Sequence, residues 1–343
     1  MQILFITRTW HGNGGLQRLS KDLWRGIAEM YGEDAIVCRP AQGYLPGMVV
    51  FACRSIFVGI RIGLKGGRIH LGDASLVPLG AIIHVLTGAH VTVTVAGLDV
   101  LYPAWWYQFL LRHSLKHMHR VCCISHATAD VVRAKGIGVE KIVIIPCGVW
   151  MHDLPDDDNH VDQADHVILS IARLVPRKGI AWFVDQVFPL LLEKYPQLQY
   201  NIIGDGPERK VIKKIIVERG LEKFVHLLGE VDDVEREREL QHSRCLIVPN
   251  IKVENNMEGF GIVCIEASGR GIPVVSSRLE GLQDAVIEGQ TGAFFDQGNA
   301  SDAASVIEKM LTSPMNHDRI RRVTAERFDW PQLFSRYRTD VFN

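Results

Sequence analysis

The chain holds 343 residues, 47% hydrophobic and 22% charged, a length that suggests two domains, with three not excluded, and a composition that excludes a disordered chain. Its formal net charge of −1 is a cancellation: residues 1–150 carry 15 Lys and Arg against 8 Asp and Glu, and the remainder carries 23 against 31. A basic first half points to an anionic surface or ligand near it.

Short β-branched runs alternate with helical patterns along the whole chain, the mark of parallel sheets covered by helices. Strands are predicted at 3–7, 35–38, 90–95, 120–124 and 141–145. A second series follows at 166–171, 199–203, 225–228, 244–248 and 273–276. Between the series, residues 151–165 show no periodicity and include Asp156-Asp157-Asp158, which reads as a solvated linker rather than a metal site. The expected organisation is a first domain over 1–150, that linker, and a second domain over 166–328. A last helix over 329–343 carries Leu333, Phe334, Tyr337 and Val341 at helical spacing. The fold class is therefore α/β, two doubly wound lobes with a cleft between them, the ligand lying beyond the carboxyl ends of the strands.

The seven cysteines form no C-x-x-C pair and mostly lie in apolar runs, so reduced core thiols of a cytoplasmic protein are expected, with no disulfide framework and no zinc site. No leader is visible at the start, where a buried strand is predicted. The apolar stretch 48–64 is interrupted by Arg54 and Arg61, which argues against a membrane-spanning helix.

Several motifs bear on chemistry. After the first strand, His11-Gly12-Asn13-Gly14-Gly15 precedes an amphipathic helix. Glycines there let the backbone approach a ligand, and the helix start favours an anion. Gln17 breaks the dinucleotide pattern, and no phosphate-binding G-x-x-x-x-G-K-[ST] loop exists. In the second half, Arg173 and Lys178 follow a strand and are suited to neutralising a diphosphate, and Gly204-Asp205-Gly206-Pro207 follows the next. In Glu258-Gly259-Phe260-Gly261-Ile262-Val263-Cys264-Ile265-Glu266, two carboxylates bracket a glycine turn that enters an apolar helix. Amides for phosphate and carboxylates for hydroxyls suit a nucleotide sugar.

Together with Gly271-Ile272-Pro273-Val274-Val275, Glu280-Gly281, Gly14-Gly15, Ser125…Thr128 and the last helix, this ordered set resembles glycosyltransferase family 4 across nearly the whole chain. The resemblance implies the GT-B fold of two Rossmann-like lobes and a retaining, metal-independent transfer from a UDP- or GDP-sugar, with no cofactor. It implies that Arg173 and Lys178 hold the leaving diphosphate, that Glu258 contacts the donor sugar, and that Glu266 accepts from the ribose. Amides of Phe260, Gly261 and Ile262 would meet phosphate and sugar. Gly14 and Gly15 would approach the diphosphate from the other lobe, and the base would lie near Gly204 and Val231. The last helix would return to the first lobe.

One position departs. Relatives usually read Thr-Val-His-Gly-Leu-Asp where this chain has Thr94-Val95-Ala96-Gly97-Leu98-Asp99, so Ala96 stands at the place of a histidine that reaches the donor sugar. A natural variant that works without it, a degenerate enzyme, and a substitution made to trap a complex all remain open. Accordingly three functions are carried: a glycosyltransferase acting on a lipid-linked or polysaccharide acceptor in envelope glycan synthesis, a nucleotide-sugar epimerase, and a nucleotide-sugar-binding protein disabled at Ala96.

The basic half adds a surface. Residues 104–120 read as a helix with Arg112, Lys116 and Arg120 on one side and Trp106, Tyr107, Leu110, Leu111, Leu115 and Met118 on another. Residues 48–68 mix apolar residues with Arg54, Arg61, Lys65 and Arg68. Such segments suit peripheral contact with an anionic membrane at the inner face of the cell membrane. His113 and His117 lack a third metal ligand, and no nucleic-acid motif accompanies the charge.

Overall fold

A computed structural model describes residues 2–12, 14–40, 45–155 and 166–343; the triplet Asp156-Asp157-Asp158 lies outside them. The chain divides into two compact units, Met1–Cys147 with Trp330–Asn343, and Gly148–Asp329.

In the first unit the elements run β1 (Ile3–Ile6), α1 (Gly15–Tyr31), β2 (Ala35–Cys38), α2 (Leu45–Gly63), β3 (Arg68–Leu71), α3 (Val77–Thr87), β4 (His90–Val95), α4 (Leu98–Leu101), α5 (Trp105–Leu115), β5 (Arg120–Cys123), α6 (His126–Ala134) and β6 (Ile142–Ile144). The strands form one parallel sheet in the order β2-β1-β3-β4-β5-β6. A parallel strand covered on both faces must be apolar on both, and all four residues of Ile3–Ile6 are buried. Strand β3 escaped the sequence reading, because Arg68-Ile69-His70-Leu71 has only four residues and looks mixed. Its His70 is nonetheless fully buried. There Nδ1 meets Thr92 Oγ1 at 2.8 Å and Nε2 meets Thr94 Oγ1 at 3.0 Å, which makes the imidazole affordable in the core. Burial pushes its pKa down to about 3, so it stays neutral.

The second unit repeats the scheme with β7 (Val167–Ile171) and α7 (Ile180–Trp182), which runs through a π turn (Phe183–Val187) into α8 (Phe188–Lys194). Then come β8 (Gln199–Ile203), α9 (Arg209–Glu218), β9 (Val225–Gly229), α10 (Asp233–His242), β10 (Cys245–Val248), α11 (Ile262–Ser268), β11 (Val274–Ser277), α12 (Leu282–Ala285), β12 (Gly292–Phe295), α13 (Ala300–Thr312) and α14 (His317–Phe328). Its parallel order is β12-β11-β10-β7-β8-β9. Strand β12 was also missed, a four-residue Gly-Ala-Phe-Phe that neither alternates nor is β-branched. Side-chain caps begin several helices: the Asp232 carboxylate accepts from Glu235 N at 2.8 Å, and Asn316 Oδ1 accepts from Arg319 N at 2.8 Å.

The last helix, α15 (Trp330–Arg336), ends in a π turn (Tyr337–Phe342) and packs in the first unit against α1 and the sheet. Phe334 lies over Gly26 of α1, where an added Cβ would sit 1.8 Å from the ring. Six cysteines are buried thiols, while Cys53 is exposed on α2. Among the described residues no helix is long and apolar enough to cross a membrane.

Candidate functional site

All six strands of the second unit run parallel, so their carboxyl ends share one edge. The loops that leave β7, β8, β10 and β11 there carry Arg173 and Lys178, Gly204–Pro207, Glu258–Gly261 and Glu280-Gly281, whereas Gly271-Ile272-Pro273 enters β11 at its amino end. The loop after β7 ends in a single 3₁₀ turn, Pro176–Lys178, closed by Gly179 at φ 65°. A Cβ on Gly179 would fall 1.9 Å from Pro249 O, so only glycine lets this turn lie against the loop after β10. Ile251 N donates to Arg177 O at 2.9 Å and fastens the two loops together.

That contact delivers two cations to one carboxylate. Arg177 Nη1 lies 3.1 Å from Glu258 Oε2, and Lys178 Nζ bonds the same oxygen. Asn250 Nδ2 donates to it as well, at 2.8 Å. Glu258 and both cations are largely buried; burial alone would raise the Glu258 pKa, but Lys178, then Arg177 and the Asn250 amide, hold it below the ordinary carboxylate range. Asn250 is itself buried, and its Oδ1 has no partner among the described residues.

The backbone of Glu258 is clamped in turn. Glu280 Oε2 accepts from Glu258 N at 2.6 Å, and Gly281 N donates to Glu258 O at 3.1 Å. Glu280 makes the first bond from φ 46°, a left-handed backbone that is uncommon outside glycine and asparagine and that marks a constrained site. Past Glu258, Gly261 takes φ 90° and opens α11, where a Cβ would meet Leu282 at 2.5 Å. Phe260 is buried against Phe328, and Ile262 is the first residue of α11. One turn later Glu266 is buried and paired with Arg236 of α10.

The structure thus brings Lys178, Glu258, Phe260, Gly261 and Ile262 together and sets Glu266 on the helix they open. Arg173 is exposed, and among the described residues no carboxylate pairs with it; the cation that joins Lys178 on Glu258 is Arg177. Gly204 N donates to Gly229 O at 2.7 Å, and Val231 is half-buried just past β9. Arg177, Asn250, Arg236 and Glu280 were missed. Arg177 adjoins Lys178 and Glu280 belongs to a quoted motif, so both had a signal; Asn250 and Arg236 had none.

In the first unit, Gly14 caps the start of α1 and Gly15 is its first residue, both exposed. Ala96 follows β4 in a loop organised by Asp99, whose carboxylate accepts from Ala96 N at 3.1 Å and Ala74 N at 2.9 Å. Burial pushes the Asp99 pKa up to about 6 despite those bonds. Asp99 therefore shapes the loop, and Ala96 brings no titratable group to it.

Two Rossmann-like parallel sheets, one in each unit, define a GT-B glycosyltransferase fold. Solved structures agree. Anabaena HepE in complex with UDP matches with TM-score 0.80 over 98% of both chains at 18% identity. Sucrose-phosphate synthase from Thermosynechococcus elongatus matches with TM-score 0.77, at 18% identity over 98% of this chain and 97% of that one. Residues 155–327 match the family described as Glycosyl transferases group 1, and the chain belongs to that family. Among curated relatives, the phosphatidyl-myo-inositol mannosyltransferase of Propionibacterium freudenreichii is 32% identical over 239 residues, 66% of this chain and 58% of that protein. The protein of that description from Mycobacterium leprae is 29% identical over 163 residues, 47% of this chain and 41% of its own length. The chain spans about half the length of these relatives.

Proposed function

We propose that the protein is a retaining glycosyltransferase that moves a sugar from a UDP- or GDP-sugar to a lipid-linked or polysaccharide acceptor of envelope glycan synthesis. The reading places it in the cytoplasm, at the inner face of the cell membrane. The observation that carries it is the pair Arg177 and Lys178 on the single buried carboxylate of Glu258, beside the Gly259–Gly261 turn. Two cations share one carboxylate there, and fixed cations in a partly dry site stabilise a departing nucleoside diphosphate as its bond to the anomeric carbon breaks. Glu258 keeps both cations in place before the donor arrives and would accept from a sugar hydroxyl, as Glu266 would from the ribose. Attack by the acceptor oxygen from the face the diphosphate leaves retains the anomeric configuration, with the acceptor proton passing to a donor phosphate oxygen. These side-chain cations supply the charge that a metal ion would otherwise bring, so the reading includes metal independence.

Calorimetric titration with UDP and GDP, followed by assay of a nucleotide-sugar panel, tests this. Lys178→Ala should weaken nucleotide binding by about tenfold to a hundredfold, the range of a lost charge-assisted bond. Glu266→Ala should weaken affinity while Glu258→Ala mainly lowers turnover. If neither nucleotide binds, the donor site is wrong; if chelator abolishes transfer, metal independence is wrong. Ala96 favours one rival, a nucleotide-sugar-binding protein. Donor binding without transfer, persisting in Ala96→His, would establish it, and acceptor-free inversion of the sugar would instead mark an epimerase.

A further inference from the structure

Helices α2, α3 and α5 lie side by side on one face of the first unit's sheet, α2 against α3 and α3 against α5, and their outward sides are apolar. On α5 the line Trp105, Phe109, Arg112, Lys116 points outward at spacings of four, three and four, while Leu111 and Leu115 turn into the core. On α2 Val50, Arg54, Phe57 and Arg61 repeat that spacing, here with apolar and basic residues alternating, whereas on α5 the two aromatics come first and the two cations follow. Between them α3 presents Ile82, Val85 and Leu86, a stripe that sequence reading did not single out. Trp105 is 81% exposed, Phe57 69% and Val85 67%, so this is a sustained apolar face rather than scattered residues.

Its charge is one-sided. From residue 45 to residue 116 the acidic residues are Asp73 and Asp99, and both are buried, so no carboxylate on these helices answers Arg54, Arg61, Arg112 and Lys116. Arg120 does not contribute: its guanidinium donates to the Asp340 and Glu140 carbonyls at 3.2 and 3.1 Å. Trp106 and Leu110, expected beside the core residues of α5, are exposed and join the outward face instead.

We propose that the α2–α3–α5 face is a lipid-docking surface for an anionic bilayer, with Trp105, Phe109, Phe57 and Val85 entering the interface and Arg54, Arg61, Arg112 and Lys116 meeting lipid phosphates. Trp and Phe suit the headgroup boundary, and basic residues interleaved with them suit an anionic leaflet. A protein partner of this shape would need matched acidic groups around each basic residue, whereas a fluid anionic leaflet supplies them wherever the helices rest. The proposal rests on the membrane-proximal acceptor inferred above, but its test is separate.

Co-sedimentation of the full chain with phosphatidylglycerol–phosphatidylcholine vesicles, and with phosphatidylcholine alone, reads the surface. Expected are binding to the anionic vesicles that weakens with salt, little binding to the neutral ones, and a blue shift of tryptophan emission. The double variant Trp105→Ser with Phe109→Ser should bind at least tenfold more weakly, by order of magnitude for lost interfacial area. Arg112→Gln and Lys116→Gln should each cost about fivefold and flatten the salt dependence. All four positions are exposed, and melting temperature and UDP binding should stay at the wild-type values, which separates loss of docking from failure of the donor site. Wild-type protein that ignores anionic vesicles, binding that survives the aromatic double variant, or a dimer in sedimentation velocity that these substitutions dissolve would overturn the proposal. Transfer to soluble acceptors alone, with vesicle binding intact, would instead overturn the lipid acceptor.

Discussion

Asp99 and Glu258 show how one side-chain type is tuned in opposite directions by its neighbours. Glu258 has two cations within reach and is held ionised; Asp99 has only amides and a nearby Asp73, and burial pushes it up from 3.8 to about 6. The consequence for Asp99 is a pH dependence of defined sign. Between about pH 4 and 6 the unfolded chain has released the proton that the folded chain keeps. The carboxyl's contribution to stability therefore falls as pH rises through that window, by about 3 kcal/mol, and is level above it. Denaturant unfolding of wild type and Asp99→Asn at pH 4, 5, 6 and 7 should show the stability difference between them shrinking across the window. A difference that does not vary with pH would refute the assignment. At this scale the sequence marked Glu258 and Lys178 by their motifs. It could not mark which cation meets the carboxylate, because Lys178 and Glu258 are 80 positions apart and only the Gly179–Pro249 approach brings them together.

Secondary elements were legible where burial imposes a pattern. Ala35–Cys38 begins and ends where its apolar run does, and Gln199–Ile203 alternates polar with buried apolar residues before Ile202-Ile203, whereas the short β3 and β12 were hidden by Arg68 and His70 in one and by Gly292 and Ala293 in the other. The last helix illustrates an element whose partner is remote. Its apolar spacing was visible, but the reason for it is tertiary: Phe334 fills the space over Gly26, Tyr337 lies 6.1 Å from His70 edge-on, and Arg336 donates to Ile144 O at 2.7 Å. Gly26→Val would drive a side chain into Phe334. It should cost about 3 kcal/mol, the upper end of ordinary overpacking, and should make the segment after Asp329 sensitive to limited proteolysis. Wild-type resistance in that variant would show that the packing of α15 does not depend on this contact.

At the scale of the molecule, each unit carries its own sheet and its own buried core. If the nucleotide binds the second unit's strand-end loops, ligand at a hundred times its dissociation constant should stabilise the state that binds it by about 2.7 kcal/mol. Amide exchange should slow around residues 173–179 and 258–268 in particular. Protection confined to other segments would move the site elsewhere. The opposite charges of the two halves take on a physical location: the basic excess of the first includes Arg54, Arg61, Arg112 and Lys116 on an outward helical face, while the acidic second unit gathers Arg177 and Lys178 at a single carboxylate.

The amino-acid sequence by itself determined the α/β class, the two series of parallel strands and the family, because continuous apolar strands and glycine-bounded turns are local requirements written in consecutive residues. Only the tertiary structure decided that Arg177 joins Lys178 on Glu258, that Glu280 is twisted to φ 46° to clamp that residue's amide, and that α3 completes the apolar face between α2 and α5. Each of these depends on segments far apart in the chain meeting at one distance and orientation, and that information exists only once the sheet has ordered its strands.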